Sequence, residues 1–587
     1  MHPFSLQYRQ WRRQEKIPFL RFPAGGRRLV LASLSPYALG MSNLGYHTVY
    51  RLVNTTDDLA CERTFLPPPQ ETEVLKRCRR RLTTLETETP VGDFPLVALS
   101  ISFEADYLSL PRFLEASGIP LWASQRADSD PVILAGGAAV FLNPEPIADF
   151  VDVFALGEGE ELIPKLEYCL KRASSRRELI EGLAWHPGFY LPRNWIPEYG
   201  VDGTLAGYQR QQDQPLPPLT SDLKVRRVRV FKPFTEVEPP HSVILTPQTE
   251  MGDKLLVEIS RGCRCGCRFC WAGYNYLPVR TFPSEVILAL AQRYRCHTEK
   301  IGLVSAAVGD HPELETLLQG LKKLEYRVSY SSLRLDNLTL STVDSLLQGG
   351  EKTLTIAPEA GTDRLRRVLN KGLSNQQIME SCDRLFKQGV LNLKCYFMYG
   401  LPTETGEDLD GIVQLVQQIR NRMQERGRTR KSIGMISVDL HPFVPKPNTP
   451  FQWCAMEAER DLKRKMQFLQ QRLRPLDNVM VRAESPRLAC LQALLSRGDR
   501  RLGAWIAALD GRITEWRQVA KEIGLDLNFY LGREKTREEV FPWHVFAGGL
   551  NEDYLWSEHG RAGEGRLSAP CPETPSCRRC GACDGSG

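Results

Sequence analysis

The chain has 587 residues, 42% of them apolar and 25% charged, which are ordinary values for a globular protein. This length exceeds what one hydrophobic core can hold and predicts about three or four domains. The net charge of +6, from 76 basic and 70 acidic residues, excludes a strongly basic protein and supports a nucleic-acid partner only weakly.

The sequence also lacks the segments that direct a chain to a membrane or out of the cell. No apolar run is long enough to span a bilayer, and residues 1–13 lack the apolar part of a secretory signal. Sixteen cysteines without such a signal indicate reduced thiols or metal ligands rather than disulfides. We therefore expect a cytoplasmic protein without membrane association.

Residues 1–26 are interpreted as an N-terminal extension, and residues 27–172 as the first folded domain. Residues 44–53 have the apolar spacing of a helix. Four short apolar runs are typical of buried parallel strands: residues 28–34, 96–102, 131–137 and 151–157. Strands that alternate with helices predict a doubly wound, Rossmann-like α/β domain, whose ligands bind at the carboxyl ends of the strands.

The remainder of the chain divides into four further regions. Residues 173–250, with the Pro-rich run 214–218, are predicted to connect two domains. Residues 251–451 contain six candidate strands, at 255–259, 300–304, 327–331, 352–356, 392–398 and 433–440. Six strands are too few for a complete eight-fold barrel and predict a partial (β/α)6 barrel. Residues 452–560 are predicted to be mostly helical, and residues 561–587 form a Cys-rich tail.

Three cysteines, Cys263, Cys267 and Cys270, lie in one short run with the spacing C-x3-C-x2-C. An iron–sulfur cluster normally takes four cysteines, so three leave one iron open to a reacting molecule. A zinc site is the alternative, but zinc needs a fourth ligand and usually shows paired C-x2-C spacing. Cys265 does not fit the spacing and is not included among the ligands.

This run, with Phe269 before its last cysteine, resembles the signature of the radical S-adenosylmethionine (SAM) superfamily. The resemblance implies that Cys263, Cys267 and Cys270 hold a [4Fe-4S] cluster whose open iron chelates SAM. One added electron would then release a 5′-deoxyadenosyl radical that abstracts hydrogen from a substrate. An electron donor such as flavodoxin or ferredoxin is the partner that this chemistry implies.

Other segments resemble the parts of radical SAM barrels that surround SAM. The resemblance implies that Glu359 accepts hydrogen bonds from SAM, with Arg364, Arg367 or Lys371 near the SAM carboxylate. A helix-surface salt bridge is the alternative for Arg367 and Lys371. Gly400 would permit a close approach of the adenine. Weaker candidates follow the second and third barrel strands: Ser305, Asp310, Ser332 and Arg334.

The two α/β regions together resemble a subgroup of the superfamily with an N-terminal cobalamin-binding-like domain. Within it, the chain resembles a poorly characterised bacterial family that also ends in clustered cysteines. The motif Asp-x-His-x-x-Gly, which carries the usual lower ligand of cobalt, does not occur in this sequence. His47 lies in a helix pattern and is interpreted as structural. Two alternatives follow: the domain binds cobalamin without this ligand, or it has lost the ability to bind cobalamin.

The tail contains a complete set of four cysteines, Cys571, Cys577, Cys580 and Cys583. Their successive two-residue gaps resemble ferredoxin-type ligation more than the separated pairs of zinc ribbons. An auxiliary [4Fe-4S] cluster is therefore favoured over structural zinc, and a disordered tail with chance cysteines is the third alternative.

The sequence thus predicts a radical SAM enzyme that modifies an unknown substrate by hydrogen abstraction, or by methyl transfer if cobalamin is bound. Methylthiolation of RNA or protein is disfavoured, because such enzymes carry a second cysteine cluster near the N-terminus. The cysteines available here, Cys61, Cys78 and Cys169, are scattered. An iron–sulfur protein that senses redox state without catalysis is the alternative from another class.

Overall fold

The structure is a computed structural model. It describes residues 3–20, 26–56, 58–211, 219, 224–230, 232–330, 334–335, 339–350, 353–574 and 576–583. The Pro-rich run 214–218 and the candidate Ser332 lie outside the described residues. None of the helices in the described ranges is long and apolar enough to cross a membrane.

The first domain is built on a six-stranded sheet whose order is β2-β1-β3-β4-β5-β6. Its strands are β1 (Arg27–Ser33), β2 (Leu59–Phe65), β3 (Leu96–Ser100), β4 (Val132–Gly136), β5 (Val153–Ala155) and β6 (Phe189–Tyr190). The first five are parallel and β6 is antiparallel. The order of the parallel strands is that of flavodoxin-like doubly wound sheets. The predicted Rossmann-like fold is confirmed.

Four of these strands were predicted from the sequence, whereas β2 and the two-residue β6 were not. The apolar pattern of β2 is interrupted by Glu62 and Arg63, which are nevertheless buried. Glu62 accepts hydrogen bonds from Arg28 and Thr84, and the Arg63 guanidinium pairs with Glu15 at 2.7 Å. Buried charges of this kind are tolerated only when they are paired, and pairing partners are not visible in a local pattern.

Eight helices accompany this sheet: α1 (Ser5–Gln14), α2 (Tyr37–Gly40), α3 (Leu44–Asn54), α4 (Pro69–Arg77), α5 (Leu110–Ser117), α6 (Ala138–Leu142), α7 (Gly159–Arg172) and α8 (Arg176–Ala184). The helix predicted at residues 44–53 is α3. It begins after Asn43, whose side chain caps the helix by accepting a hydrogen bond from the Tyr46 amide.

Short strands connect the two α/β domains. They are β7 (Trp195–Tyr199) and β8 (Leu205–Arg210), which pair antiparallel, and β9 (Val225–Arg226). Strand β9 pairs with a distant segment, Phe546–Ala547, near the end of the chain.

The second domain is the partial barrel, and all six predicted strands are present. It consists of β10 (Leu255–Glu258), β13 (Lys300–Val304), β14 (Arg327–Tyr330), β15 (Thr353–Glu359), β16 (Asn392–Tyr399), β17 (Ile436–Pro442) and β18 (Val479–Ala483). These pair parallel in two sheets, β10-β13-β14 and β15-β16-β17-β18. Strand β18 is an addition, because its residues were expected in a mostly helical region.

The remaining barrel elements are a hairpin and the helices that follow the strands. The hairpin is β11 (Ser260–Arg261) with β12 (Arg280–Thr281). The helices are α9 (Trp271–Asn275), α10 (Ser284–Tyr294), α11 (Leu314–Lys323), α12 (Leu340–Gln348), α13 (Asp363–Val368), α14 (Asn375–Gln388), α15 (Gly406–Thr429) and α16 (Glu459–Leu473).

The C-terminal region packs back onto the first domain. Its helices are α17 (Pro486–Arg497), α18 (Leu502–Leu509), α19 (Trp516–Glu522), α20 (Leu527–Leu531) and α21 (Glu552–Gly563), and its strand β19 (Phe546–Ala547) pairs with β9. Asn143 donates to the carbonyl of Gly498 at 2.6 Å, and the buried Glu145 pairs with Arg500 at 3.1 Å. Apolar residues of the first domain, the β15–β18 sheet and these helices therefore form one continuous core.

Candidate active site

The three spaced cysteines lie on a loop that leaves β11 and enters α9. Gly262 begins this loop with φ +95°, and a Cβ there would lie 2.6 Å from the carbonyl oxygen of Tyr276. Only glycine fits both the conformation and the space. The turn between the last two cysteines is closed by a hydrogen bond from the Cys270 amide to the Cys267 carbonyl at 2.9 Å.

The middle of the loop is held by hydrogen bonds to one carbonyl. The Gly266 oxygen accepts from the Tyr274 hydroxyl and from the Asn370 side-chain amide, each at 3.0 Å. Tyr274 lies on α9 and Asn370 follows α13. The loop is thus fixed to two different helical segments of the barrel.

Arg268, between the second and third cysteines, is completely buried and anchors the loop to α13 and α21. Its guanidinium donates to the carbonyls of Arg367 and Val368 at 2.9 and 3.0 Å, at the C-terminal end of α13. It also pairs with Glu558 of α21 at 3.1 Å. A guanidinium placed on the carbonyls of a helix end adds hydrogen bonds there and complements the helix dipole.

The three thiols lie in buried surroundings that disfavour their charged form. Burial raises the pKa of Cys263 to about 11 and that of Cys267 to about 12, so both are protonated in the metal-free protein. Arg334 and Lys371 act in the other direction on Cys263, and Asp310 adds to the rise. A set of thiolates alone is the donor set of iron–sulfur clusters. The three cysteines therefore fit a [4Fe-4S] cluster.

Within the described ranges, no three Cys, His, Asp or Glu side chains converge as ligands of one metal ion. The cysteines of a cubane cluster bind different irons, so they surround the group and need not converge on a point.

Glu359, the predicted SAM ligand, ends β15 in the left-handed conformation, with φ +66°. Its carboxylate accepts from the Lys371 ammonium at 3.1 Å. The other two basic candidates lie elsewhere: Arg364 pairs with Asp408, and the Arg367 side chain is exposed on α13. The structure therefore brings Lys371, rather than Arg364 or Arg367, to Glu359.

The remaining candidates take separate positions. The Ser305 hydroxyl, directly after β13, lies 2.6 Å from that of Ser260, the first residue of β11. Phe269 packs against the apolar cluster that includes Leu401. Gly400 has φ +76°, and a Cβ there would lie 2.4 Å from Leu462 of α16. The structure gives Gly400 a packing role against α16, and its contact with an adenine stays a prediction.

A cavity of about 550 Å³ lies between the two α/β domains. Strand ends of the first domain's sheet and the carboxyl ends of β10 and β13 face it, as the doubly wound fold and the barrel fold each predict for a ligand site. From the first domain it is lined by Asn43, Ser102, Gly136, Gly137 and Gly157, and from the barrel by Ser260, Gly262, Ala272, Tyr276 and Ser305. The cysteine loop therefore forms part of its wall.

A cluster of five charged residues joins the domains beside this cavity. The Arg261 guanidinium contacts Glu158 at 3.0 Å, Glu160 at 2.9 Å and Glu258 at 2.7 Å. Arg280 contacts Glu158 at 2.6 Å. Burial alone would raise the pKa of Glu158, but Arg261 and Arg280 lower it to about 2. Because Arg261 directly precedes Gly262, this interdomain ion cluster fixes the start of the cysteine loop.

Arg261 and Arg268 were not predicted as site residues, although both lie in the run that contains the three cysteines. The only local signal was an arginine among glycines and cysteines. Their partners, Glu158, Glu160 and Glu558, are remote in sequence.

The position of His47 agrees with its interpretation as a structural residue. The side chain is buried in α3 and its Nε2 lies 2.9 Å from the Met41 carbonyl oxygen. Burial lowers the pKa of His47 to about 4, so the ring is neutral. The described residues that line the large cavity include no histidine.

Two sequence families match the chain. The one described as "Radical SAM proteins, N-terminal" matches residues 45–192, and the one described as "Radical SAM superfamily" matches residues 257–416. The second match contains all three cysteines of the loop. The chain belongs to the radical SAM superfamily. It is a radical SAM enzyme, and the two matched ranges lie in the two domains that enclose the cavity.

This radical SAM enzyme is similar to several known proteins. An uncharacterized protein of Methanocaldococcus jannaschii is 28% identical over 427 residues, which cover 72% of this chain and 82% of that protein. A solved structure of the cobalamin-dependent SAM radical enzyme OxsB, with aqua-cobalamin and SAM bound, is 13% identical and covers 92% of this chain and 79% of its own, with a TM-score of 0.44. In another OxsB structure, this chain spans only 52% of that chain. Coproporphyrinogen III oxidase of Escherichia coli gives 14% identity over 37% of this chain and 52% of its own, with a TM-score of 0.26.

Replacing Glu158 by Gln tests the interdomain ion cluster. The variant leaves Arg261 and Arg280 without their shared buried partner, which costs about 3 kcal/mol in the free energy of unfolding at pH 7. Because the folded pKa of about 2 lies below the ordinary 4.5, this stabilisation is complete above pH 4.5 and lost as the pH falls toward 2. Denaturant unfolding at several pH values should show the difference between wild type and variant shrinking below pH 4.5.

The matched control is Glu181→Gln, which breaks a partly exposed pair with Arg177 in α8. Its effect should stay below about 0.5 kcal/mol. An equal effect of the two substitutions would contradict the role given to Glu158.

Replacing Arg268 by Met tests the anchor of the loop. The variant leaves the buried Glu558 without its guanidinium partner and removes the side-chain donor from two carbonyls of α13, so we expect a mobile loop and a large loss of bound iron. Iron content and hydrogen exchange of residues 262–270 measure the two effects. Arg367→Met is the control, because that exposed side chain only borders the same helix end, and it should bind iron as wild type does. Normal iron content in Arg268→Met would be incompatible with the anchoring role.

Proposed function

We propose that this radical SAM enzyme abstracts hydrogen from a substrate bound in the cavity between its two α/β domains. The observation that carries the proposal is the shared wall: Gly262, Ala272 and Tyr276, around the cysteine loop, line the same cavity as the strand ends of the first domain. A volume of about 550 Å³ is typical of a small-molecule site. A substrate there would lie beside the group that generates the radical.

When bound, the [4Fe-4S] cluster supplies the electron that cleaves SAM. The residues of the chain do the rest. Cys263, Cys267 and Cys270 hold the cluster, and Glu359 with Lys371 offers one carboxylate and one ammonium for the polar groups of SAM. The Ser260–Ser305 hydroxyl pair provides further donors and acceptors at the cavity wall.

Methyl transfer with cobalamin is a second candidate, and the topology of the first domain favours it. Flavodoxin-like sheets bind flat cofactors at the carboxyl ends of their strands, which here face the cysteine loop across the cavity. Since no described histidine lines this cavity, a corrinoid would be held without a lower protein ligand from it. Methylthiolation gains no support: Cys61 and Cys169 are buried in β2 and α7, and Cys78 is exposed at the end of α4.

The central experiment is reductive cleavage of SAM. Anaerobically reconstituted protein with SAM and dithionite should release 5′-deoxyadenosine, or S-adenosylhomocysteine in a methylase, because the loop supplies three of the four cluster positions. Cys267→Ala should abolish this release. Cys296→Ser, at an exposed thiol outside both the loop and the tail, should leave it unchanged. Intact clusters that yield neither product would refute the enzyme proposed here.

Metal analysis of the same preparation separates the two candidates. Stoichiometric cobalt in anaerobically purified protein supports methyl transfer. Its absence after expression with cobalamin supplied would leave hydrogen abstraction as the function.

A further inference from the structure

The four cysteines of the tail surround one small cavity on the cysteine loop. Cys571, Cys577, Cys580 and Cys583 all line it, together with Cys263 and Gly266 of the loop. Cys571 and Cys580 are buried, and Cys577 and Cys583 are partly buried. Four thiols from the tail thus line the same cavity of the fold.

The tail is attached to the loop by direct contacts. The Cys571 amide donates to the Arg264 carbonyl at 2.7 Å, and the Arg264 side chain pairs with Glu573 at 3.2 Å. At the other end, the Cys580 carbonyl accepts from the Asn551 amide at 2.9 Å, and the Ala582 carbonyl accepts from Arg229 at 3.0 Å. The cavity is therefore built by the fold of the tail on the loop.

The loop separates the small cavity from the large one. Gly262, Ala272 and Tyr276 face the large cavity, whereas Cys263, Gly266 and Tyr274 face the small one, and no described residue lines both. A group in the tail cavity would adjoin the first cluster site without reaching the substrate cavity. Its position suits the transfer of electrons and does not suit contact with substrate.

We propose that Cys571, Cys577, Cys580 and Cys583 hold a second [4Fe-4S] cluster that receives electrons for the first. This role rests on the proposed function. A reduced one-electron carrier would give one electron to the tail cluster and take it from the 2+ to the 1+ state. The tail cluster would return to 2+ by passing that electron to the first cluster, which is thereby reduced by one electron. The carrier is oxidised by one electron, and no proton or bond is exchanged.

The outer edge of the tail indicates the chemistry of that carrier. Arg264, Arg578 and Arg579 are exposed there, next to the partly buried Cys577 and Cys583. Guanidinium groups around a redox site attract a protein with an acidic surface and raise the rate of its association. Flavodoxins and ferredoxins are acidic one-electron carriers of this kind.

The metal site is tested by Cys577→Ala/Cys583→Ala in the full chain, with Cys296→Ser as control. The wild type and the control should contain about eight irons per chain and the double variant about four. The SAM-dependent change in the electron paramagnetic resonance spectrum of the first cluster should persist in the variant, which also shows that the variant is folded. About four irons with one zinc in wild type, or equal iron in all three proteins, would overturn the second cluster.

The role is tested by changing the reductant. Dithionite reaches the first cluster without a docking site, so the double variant should release 5′-deoxyadenosine with dithionite but lose most of the rate with reduced flavodoxin. Arg578→Glu, which keeps all cysteines and changes a side chain outside the lining of the small cavity, should raise the KM for flavodoxin and leave iron content unchanged. The role of the tail would be overturned if the double variant lost the same share of its rate with both reductants, or lost no rate with either. If the wild type released no 5′-deoxyadenosine even with dithionite, the proposed function would instead be refuted.

Discussion

The geometry of the site depends on the ion cluster centred on Arg261. One buried guanidinium contacts three carboxylates, two from the first domain and one from the barrel, and the next residue along the chain opens the cysteine loop. Removing so many charges from water is favourable only when their mutual geometry is good. The same contacts that join the domains therefore set where the loop begins. The contacts of Arg261 therefore fix both the orientation of the domains and the position of the cluster ligands.

Arg268 provides the complementary constraint at the far end of the loop. It connects the cysteines with the end of α13 and with α21, which lies almost three hundred residues later. Two arginines within eight residues thus tie one loop to the N-terminal domain, the barrel and the C-terminal region. A loop with such anchors is pre-organised for its ligand, which lowers the entropic cost of binding.

The parts that could be predicted from the sequence are those that depend on local pattern. The strands β1, β3, β4 and β5 have continuous apolar runs, and the C-x3-C-x2-C spacing lies within eight residues. Strand β2 was missed because its charges are stabilised by remote partners, and β18 because a single short strand in a helical region has a weak signal. Lys371 could not be separated from Arg367 by sequence, since the choice depends on which face of a short helical turn meets Glu359. Contacts between the tail and the loop join residues 264 and 571, a separation over which no spacing rule operates.

The attachment of the tail to the loop has a consequence for how the enzyme matures. Chains emerge from the ribosome N-terminus first, and domains fold in that order. The loop of Cys263, Cys267 and Cys270 is therefore synthesised and exposed long before Cys571 exists. The contact of the Cys571 amide with the Arg264 carbonyl can form only after residue 571 has been synthesised. The loop is therefore complete before the segment that covers one side of it.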